Sequence, residues 1–277
     1  SLHKSLYQSL CTSFCPMNAL APNPNEPLRS VHSTNFPEIL RHFGASLAVS
    51  TYQAGKLIFV RADGDNLNTH FQMFERPMGM AFDQGRLAIG TAYQLGEFWN
   101  VPAAASKLEP RDRHDACFIP RSIHITGDID IHEMAYIDED IWFINTRFSC
   151  LCTLAKAHSF VPRWRPPFIT GYDLSDRCHL NGLGIRDGKP RYVTALGTTD
   201  TAEGWRKHKA TGGMLMDIST NQMLVKGLSM PHSPRWYQDQ LWVLESGKGS
   251  LSKVDLDTGK LTIVAQDRKS TRLNSSH

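Results

Sequence analysis

A chain of 277 residues with 41% hydrophobic residues is long enough for one large domain and apolar enough to fill a core, which sets disorder aside. Six cysteines are too few over this length for a disulfide framework and point to a reducing, cytoplasmic setting. No apolar run reaches the roughly 18 residues of a membrane span, and the first thirty residues lack a basic start followed by an apolar block, although such an export signal would be lost with a missing N-terminus.

Both ends read as incomplete. The chain opens on Ser1, and Asp267 to His277 reads as the in-frame translation of a DNA-sequencing adapter rather than native protein. That tail holds three basic residues and one acidic residue, so without it the formal charge falls from +3 to +1. So small a charge recommends neither a nucleic acid nor an anionic membrane as partner. The expected organisation is a flexible lead-in over residues 1–34 with Pro16, Pro22, Pro24 and Pro27, an incomplete folded domain over 35–266, and the foreign tail over 267–277.

The first expected element is a helix. Asn35-Phe36-Pro37-Glu38 has the form of a capping box and Gly44 that of a C-cap, which bounds one short helix from Phe36 to Phe43. A repeat follows. GMAFDQGRLAIG from Gly79, EMAYIDEDIWFIN from Glu133, GLGIRDGKPRYVTA from Gly182 and SPRWYQDQLWVLES from Ser233 each read as strand, turn, strand, with starts 54, 49 and 51 residues apart. LAVSTYQAGKLIFV from Leu47 matches LAIGTAYQLGEFWN from Leu87 and supplies a fifth unit. Hairpins at this period fit the four-stranded blades of an all-β propeller, for which six blades are the preferred count and five or seven the alternatives, with a sixth blade or its closing strands lost beyond Gln266.

Innermost strands of a propeller face a central channel, so equivalent residues meet there. The residue before each repeat is Met78, His132, Asn181 and His232, with His179 two positions before Asn181. Imidazoles and an amide converging on one funnel predict a divalent transition-metal site of zinc, copper or iron, with channel-lining polar residues as the plainer alternative. A second cluster, His114, Asp115, His124, Asp128, Asp130 and His132, falls within nineteen residues. Alternation on a strand puts Asp128, Asp130 and His132 on one face, with the acids as ligands, acid or base, and His124 as a further ligand.

The segment GTTDTAEGWRKHKATGG is longer than a hairpin connection, and its Trp205, Arg206 and Lys209 read either as a clamp on an anionic or carbonyl group of a small-molecule ligand or as part of a solvated surface excursion. Arg163, Trp164 and Arg165 read as a stacked link between blades, and Cys150 and Cys152 as buried structural thiols on one strand face. No nucleophile elbow, dinucleotide fingerprint or phosphate loop is present.

The motifs RPMGMA, RHDACFIPRSIHITGDIDIHEMA, NTRFSCL, VPRWRPPFI, CHLNGL, GWRKHK and LSMPHSPRW, spread from about Pro37 to Gln266, resemble a family of conserved hypothetical proteins. The resemblance implies a propeller-like domain in a longer chain and supplies no reaction. HLNGLGIRDGKPRYVTA and Asn145 are more distantly similar to the gluconolactonase type of six-bladed propeller. That family holds its ion with carboxylates and amides, whereas His132 and His232 stand here, and imidazole suits softer metals than calcium. Two functions follow as expectations: a metal-dependent hydrolase or oxidoreductase with Asp128, Asp130, Arg206 and Lys209 in its chemistry, or a non-catalytic propeller that binds a small molecule or a protein.

Overall fold

The computed structural model describes residues 31–111 and 114–267. The expected lead-in up to residue 30 and the expected tail from residue 268 lie outside the described residues. The helix runs Phe36–Phe43 as predicted, although Asn35 makes no side-chain capping bond. Its end is set by Gly44, at φ 56°, whose N–H bonds the Arg41 carbonyl.

Five antiparallel sheets follow, each a meander of consecutive strands. The first has three strands, β1 (Leu47–Thr51), β2 (Lys56–Asp63) and β3 (Asn66–Met73). The second holds β4 (Met80–Asp83), β5 (Arg86–Gly90), β6 (Gln94–Asn100) and β7 (Phe118–Ile125). The third holds β8 (Ile131–Ile137), β9 (Asp140–Asn145), β10 (Cys150–Thr153) and β11 (Val161–Trp164). The fourth is β12 (Leu180–Arg186), β13 (Lys189–Ala195), β14 (Gly213–Asp217) and β15 (Gln222–Leu228). The fifth is β16 (Pro231–Tyr237), β17 (Gln240–Glu245), β18 (Ser250–Val254) and β19 (Leu261–Gln266). The architecture is the all-β propeller expected, with five sheets among the described residues where six blades were expected.

Local chemistry explains the hairpins. Gln84-Gly85, Asp187-Gly188 and Gln238-Asp239 all sit at positive φ between the first two strands of their sheets, as the tight turns that match strand twist require. Apolar side chains alternate across each sheet and pack between sheets. Ile141, Phe143, Cys150 and Cys152 of the third sheet face Ala88 and Leu95 of the second. On its other side Ile144 and Leu151 meet Val193, Met214 and Met216 of the fourth. Burying side chains of this size stabilises by about 1.5–3 kcal/mol each. The Cys150 and Cys152 sulfurs lie 3.4 Å apart and fully buried, as expected of structural thiols.

The sheets are also tied near the channel. Ser50 Oγ donates to Met78 O (2.7 Å), Gly79 N to Ile131 O (3.0 Å), Thr146 Oγ1 to Leu180 O (2.7 Å) and Asn181 Nδ2 to Pro231 O (3.1 Å). Each bond runs from one sheet to the inner strand of the next, or to the residue leading into it. Further out, Trp164 Nε1 donates to Asn221 Oδ1 (2.8 Å) and the Arg165 guanidinium covers the Tyr172 ring. The RWRPP segment is thus a stacked link between the third and fourth sheets.

Candidate functional site at the channel mouth

A cavity of about 290 Å³ opens on the channel and is lined from all five sheets or the loops entering them. Strand β1 and the turn after it supply Ser50 and Tyr52, the lead into the second sheet Pro77 and Met78, the third sheet His132 and Glu133, the fourth Asn181, and the fifth His232 and Ser233. The repeat alignment therefore places Met78, His132, Asn181 and His232 correctly. Pairing between the first two strands slips at this level, between Ile131 and Met134, Leu180 and Gly182, and His232 and Arg235. Such bulges re-aim side chains, so that the neighbours His132 and Glu133 line the same cavity.

Just before that level the chain turns through the left-handed region in four sheets, at Arg76 (φ 46°), Asp130 (φ 58°), His179 (φ 53°) and Met230 (φ 47°). Two of these turns hold a histidine. His232 Nδ1 donates to Met230 O (2.9 Å), and His132 Nδ1 to Asp130 O (3.2 Å). A carbonyl only accepts, so both Nδ1 atoms carry the proton and Nε2 is the basic nitrogen of the neutral ring. Thr146 agrees: its hydroxyl gives its one proton to Leu180 O and so accepts from His132 Nδ1 at 2.7 Å.

His179 lies behind His132, not on the cavity wall. The two rings meet edge to face at 4.7 Å, and the Trp205 ring covers His179 at 4.2 Å. His179 Nδ1 bonds Asp176 Oδ2 (2.8 Å), and Trp205 Nε1 donates to the main-chain and side-chain oxygens of Asp176 (3.0 and 3.2 Å). Burial pushes the Asp176 carboxyl up to about 6, against the opposing pull of His132, the Trp205 N–H and Arg206. Burial likewise raises Glu133, which is held by Arg235 from the fifth sheet, by Ser233 and by the main chain at Leu183.

Several expectations are corrected. Asp128 and Asp130 precede the strand, which starts at Ile131, because the left-handed turn at Asp130 breaks the alternation that put them on one face with His132. Asp128 accepts from Arg76 (3.2 Å) and Arg147 (3.4 Å) at a single oxygen, while Asp130 Oδ2 stands 3.8 Å from His132 Nδ1. His124 is on the outer strand β7, with Nε2 bonded to Ser159 O (2.8 Å), and takes no part in the channel. His114, likewise apart, bonds Glu109 O, and Asp115 lies in the same loop region before β7.

The long loop does reach this face, with a 3₁₀ turn at Gly204–His208, but Trp205 points inward and is 1% exposed, so it clamps no ligand directly. Arg206 bonds Glu203 (2.9 Å) and covers the Trp205 ring; the Lys209 carbonyl accepts from Met230 N (3.1 Å). Sequence reasoning missed Glu133, Tyr52, Arg76 and Arg147. Glu133 had a signal: it stands where the aligned repeats have Gly79 and Gly182.

The expected metal site does not assemble from its five ligands. Asn181 bonds Pro231 O and Thr194 (2.7 Å) with its two ends, His179 is set back under Trp205, and His124 is remote, which leaves His132 and His232 on the wall. Among the described residues no group of three or more His, Cys, Asp or Glu side chains is placed to hold a metal ion, whereas catalytic zinc is ordinarily held by three protein ligands.

The family described as Domain of unknown function (DUF4915) matches residues 34–271. The chain belongs to this family. No curated protein gives a significant match to the sequence. Among solved structures, this DUF4915 chain is similar to virginiamycin B lyase from Staphylococcus aureus (9% identity, TM-score 0.46, covering 82% of this chain and 68% of that one). It is similar also to the calcium-binding protein regucalcin from Agrobacterium tumefaciens (16%, TM-score 0.42, 68% and 58%) and to the WD40 β propeller domain of Doa1 (10%, TM-score 0.48, 80% and 79%). The chain spans about two thirds of the length of the lyases it matches. No helix among the described residues is long and apolar enough to cross a membrane.

Proposed function

We propose that the channel mouth binds a small polar molecule and that the protein is an enzyme acting on it by proton transfer, with His132 and His232 as the acid–base pair. The observation that carries this reading is the shared geometry of the two rings: each Nδ1 proton is pinned to the carbonyl two residues back, and both rings line one cavity. In a hydrolysis, one neutral imidazole takes a proton from water at Nε2 as the water adds to a carbonyl carbon, and the other, entering as imidazolium with a second proton on Nε2, gives that proton to the leaving oxygen. The test is turnover of a panel of small esters and lactones by the wild type, His132→Asn and His232→Asn. A loss of about 100-fold or more in both variants is expected; equal rates in all three proteins would sink the proposal.

A metal-dependent form of the same site has one observation in its favour, since ligating histidines ordinarily donate their other ring N–H to a carbonyl or carboxylate. Elemental analysis of protein purified without chelator decides it: about one zinc, copper or iron per chain, lost in His132→Ala and His232→Ala, would complete the donor set. Binding without turnover in the ester panel would move the function to a non-catalytic propeller for a small molecule or a protein. Cytoplasmic residence is supported by the free thiols of Cys117, Cys150, Cys152 and Cys178.

The six-blade count also stands as a proposal. Leu244 and Leu251 of the fifth sheet correspond to Ile144 and Leu151, which are fully buried against a following sheet, yet Leu244 is 40% exposed. Leu47 and Val49 correspond to the buried Leu87 and Ile89 but are 41% and 40% exposed. Two faces shaped for sheet packing thus await a partner, and one further sheet seated between them closes the ring.

A further inference from the structure

We infer that Arg76 and Arg147 form a carboxylate-binding clamp on the rim of the channel, a reading that rests on the cavity being the ligand site. Tyr52 joins the two places, because it lines the cavity and its hydroxyl accepts from Arg76 Nη1 (3.3 Å). The Arg76 guanidinium carbon lies 5.9 and 5.6 Å from the centres of the Tyr52 and Tyr93 rings. These contacts favour one placement of its planar fork.

Charge points to an anion. The guanidinium groups of Arg76 and Arg147 meet on one oxygen of Asp128, so two cations face one carboxylate. Asp176 and Glu203 bond other partners, His179 and Arg206. Of the three groups in direct contact, two are cations and one is an anion. Its side chains are 31%, 39% and 32% exposed for Arg76, Arg147 and Asp128, sheltered enough to strengthen an ionic contact and open enough to admit one. A guanidinium has five N–H donors, and Arg76 gives two groups to Tyr52 and Asp128, so donors remain for the two oxygens of a carboxylate.

Arg76 precedes the wall residue Met78 by two residues, as Asp130 precedes His132, so the clamp and the histidines belong to one channel mouth. The ligand class is a small carboxylate.

The test titrates acetate and lactate, each against its neutral amide at matched ionic strength, into the wild type, Arg76→Gln, Arg147→Gln and Arg76→Lys. Arginine Nε–H resonances and the thermal midpoint are the readouts. Carboxylates should move the Arg76 resonance and raise the midpoint by about 2 °C near saturation, with no response to the amides. Either Gln variant should weaken binding tenfold or more, and Arg76→Lys, which keeps charge without the fork, should fall between. Equal responses to acid and amide, or Gln variants that bind like the wild type, overturn the clamp. Inorganic phosphate in place of carboxylates as the ligand that binds overturns the assigned class. Carboxylate binding that His132→Asn retains supports the clamp even where the acid–base reading fails, and turnover of neutral esters without carboxylate binding removes the clamp alone.

Discussion

Asp176 is a buried acid whose protonation bears on the stability of the fold. Its carboxyl, raised to about 6, keeps a proton at a pH where the unfolded chain has lost it. The folded state therefore gains from Asp176 at low pH, and the gain disappears as pH rises through about 6. Urea denaturation at pH 4 and pH 7 should show Asp176→Asn losing about 2 kcal/mol less stability over that interval than the wild type; the same pH dependence in both proteins would mean that the acid ionises normally. Asp173 and Asp200 behave oppositely. Arg177 and then Ser175 hold Asp173 down at about 2, and the Thr170 hydroxyl and then Arg177 do the same for Asp200, so their contribution is present at neutral pH and is lost as acid is added.

At the scale of elements, the repeat was readable because its signals are local: Asp and Gly at turns, apolar alternation on strands. The wall residues followed from the alignment, since equal positions in equal units meet on an axis. The reading failed where long-range packing decides. Nothing in the residues around His124 tells the outermost strand from the innermost, and nothing next to Asp130 announces that a left-handed turn precedes the strand. Trp205 looked like a loop aromatic and became a buried support for Asp176 and His179. Arg76 and Arg147 meet only through Asp128, which no spacing rule links to both.

The inner strands of neighbouring sheets approach closely enough to need glycine. A Cβ on Gly182 would lie 2.2 Å from Thr194 Oγ1 and 2.5 Å from Pro234 Cδ, joining a strand of its own sheet to one of the next. Gly182→Ala should cost about 2 kcal/mol or more in chemical denaturation and should shift His232, on the same strand as Pro234. An unchanged midpoint would show that the two sheets separate freely.

For the whole molecule, burial is uneven. The third and fourth sheets hold most of the fully buried side chains, including Phe143, Ile144, Leu151, Leu180 and Val193, whereas Ile263 and Val264 of the last strand are more than half exposed. Amide exchange should accordingly be slowest in β9, β10, β13 and β14 and fastest in β3 and β19. The exposed faces of the first and last sheets should make the chain associate as its concentration rises. Leu244→Ser with Leu47→Ser should lower that association, read by light scattering, without changing the exchange of the third sheet; undiminished association would place the contact elsewhere.

Glu133 and Arg235 join strands of the third and fifth sheets, and Arg235 also donates to Leu183 O of the sheet between them (3.0 Å). That chord spans three consecutive sheets beside the cavity, which Glu133 itself lines. The ring's width and the shape of the cavity wall are therefore coupled, and a shift of any one of the three sheets reaches the site.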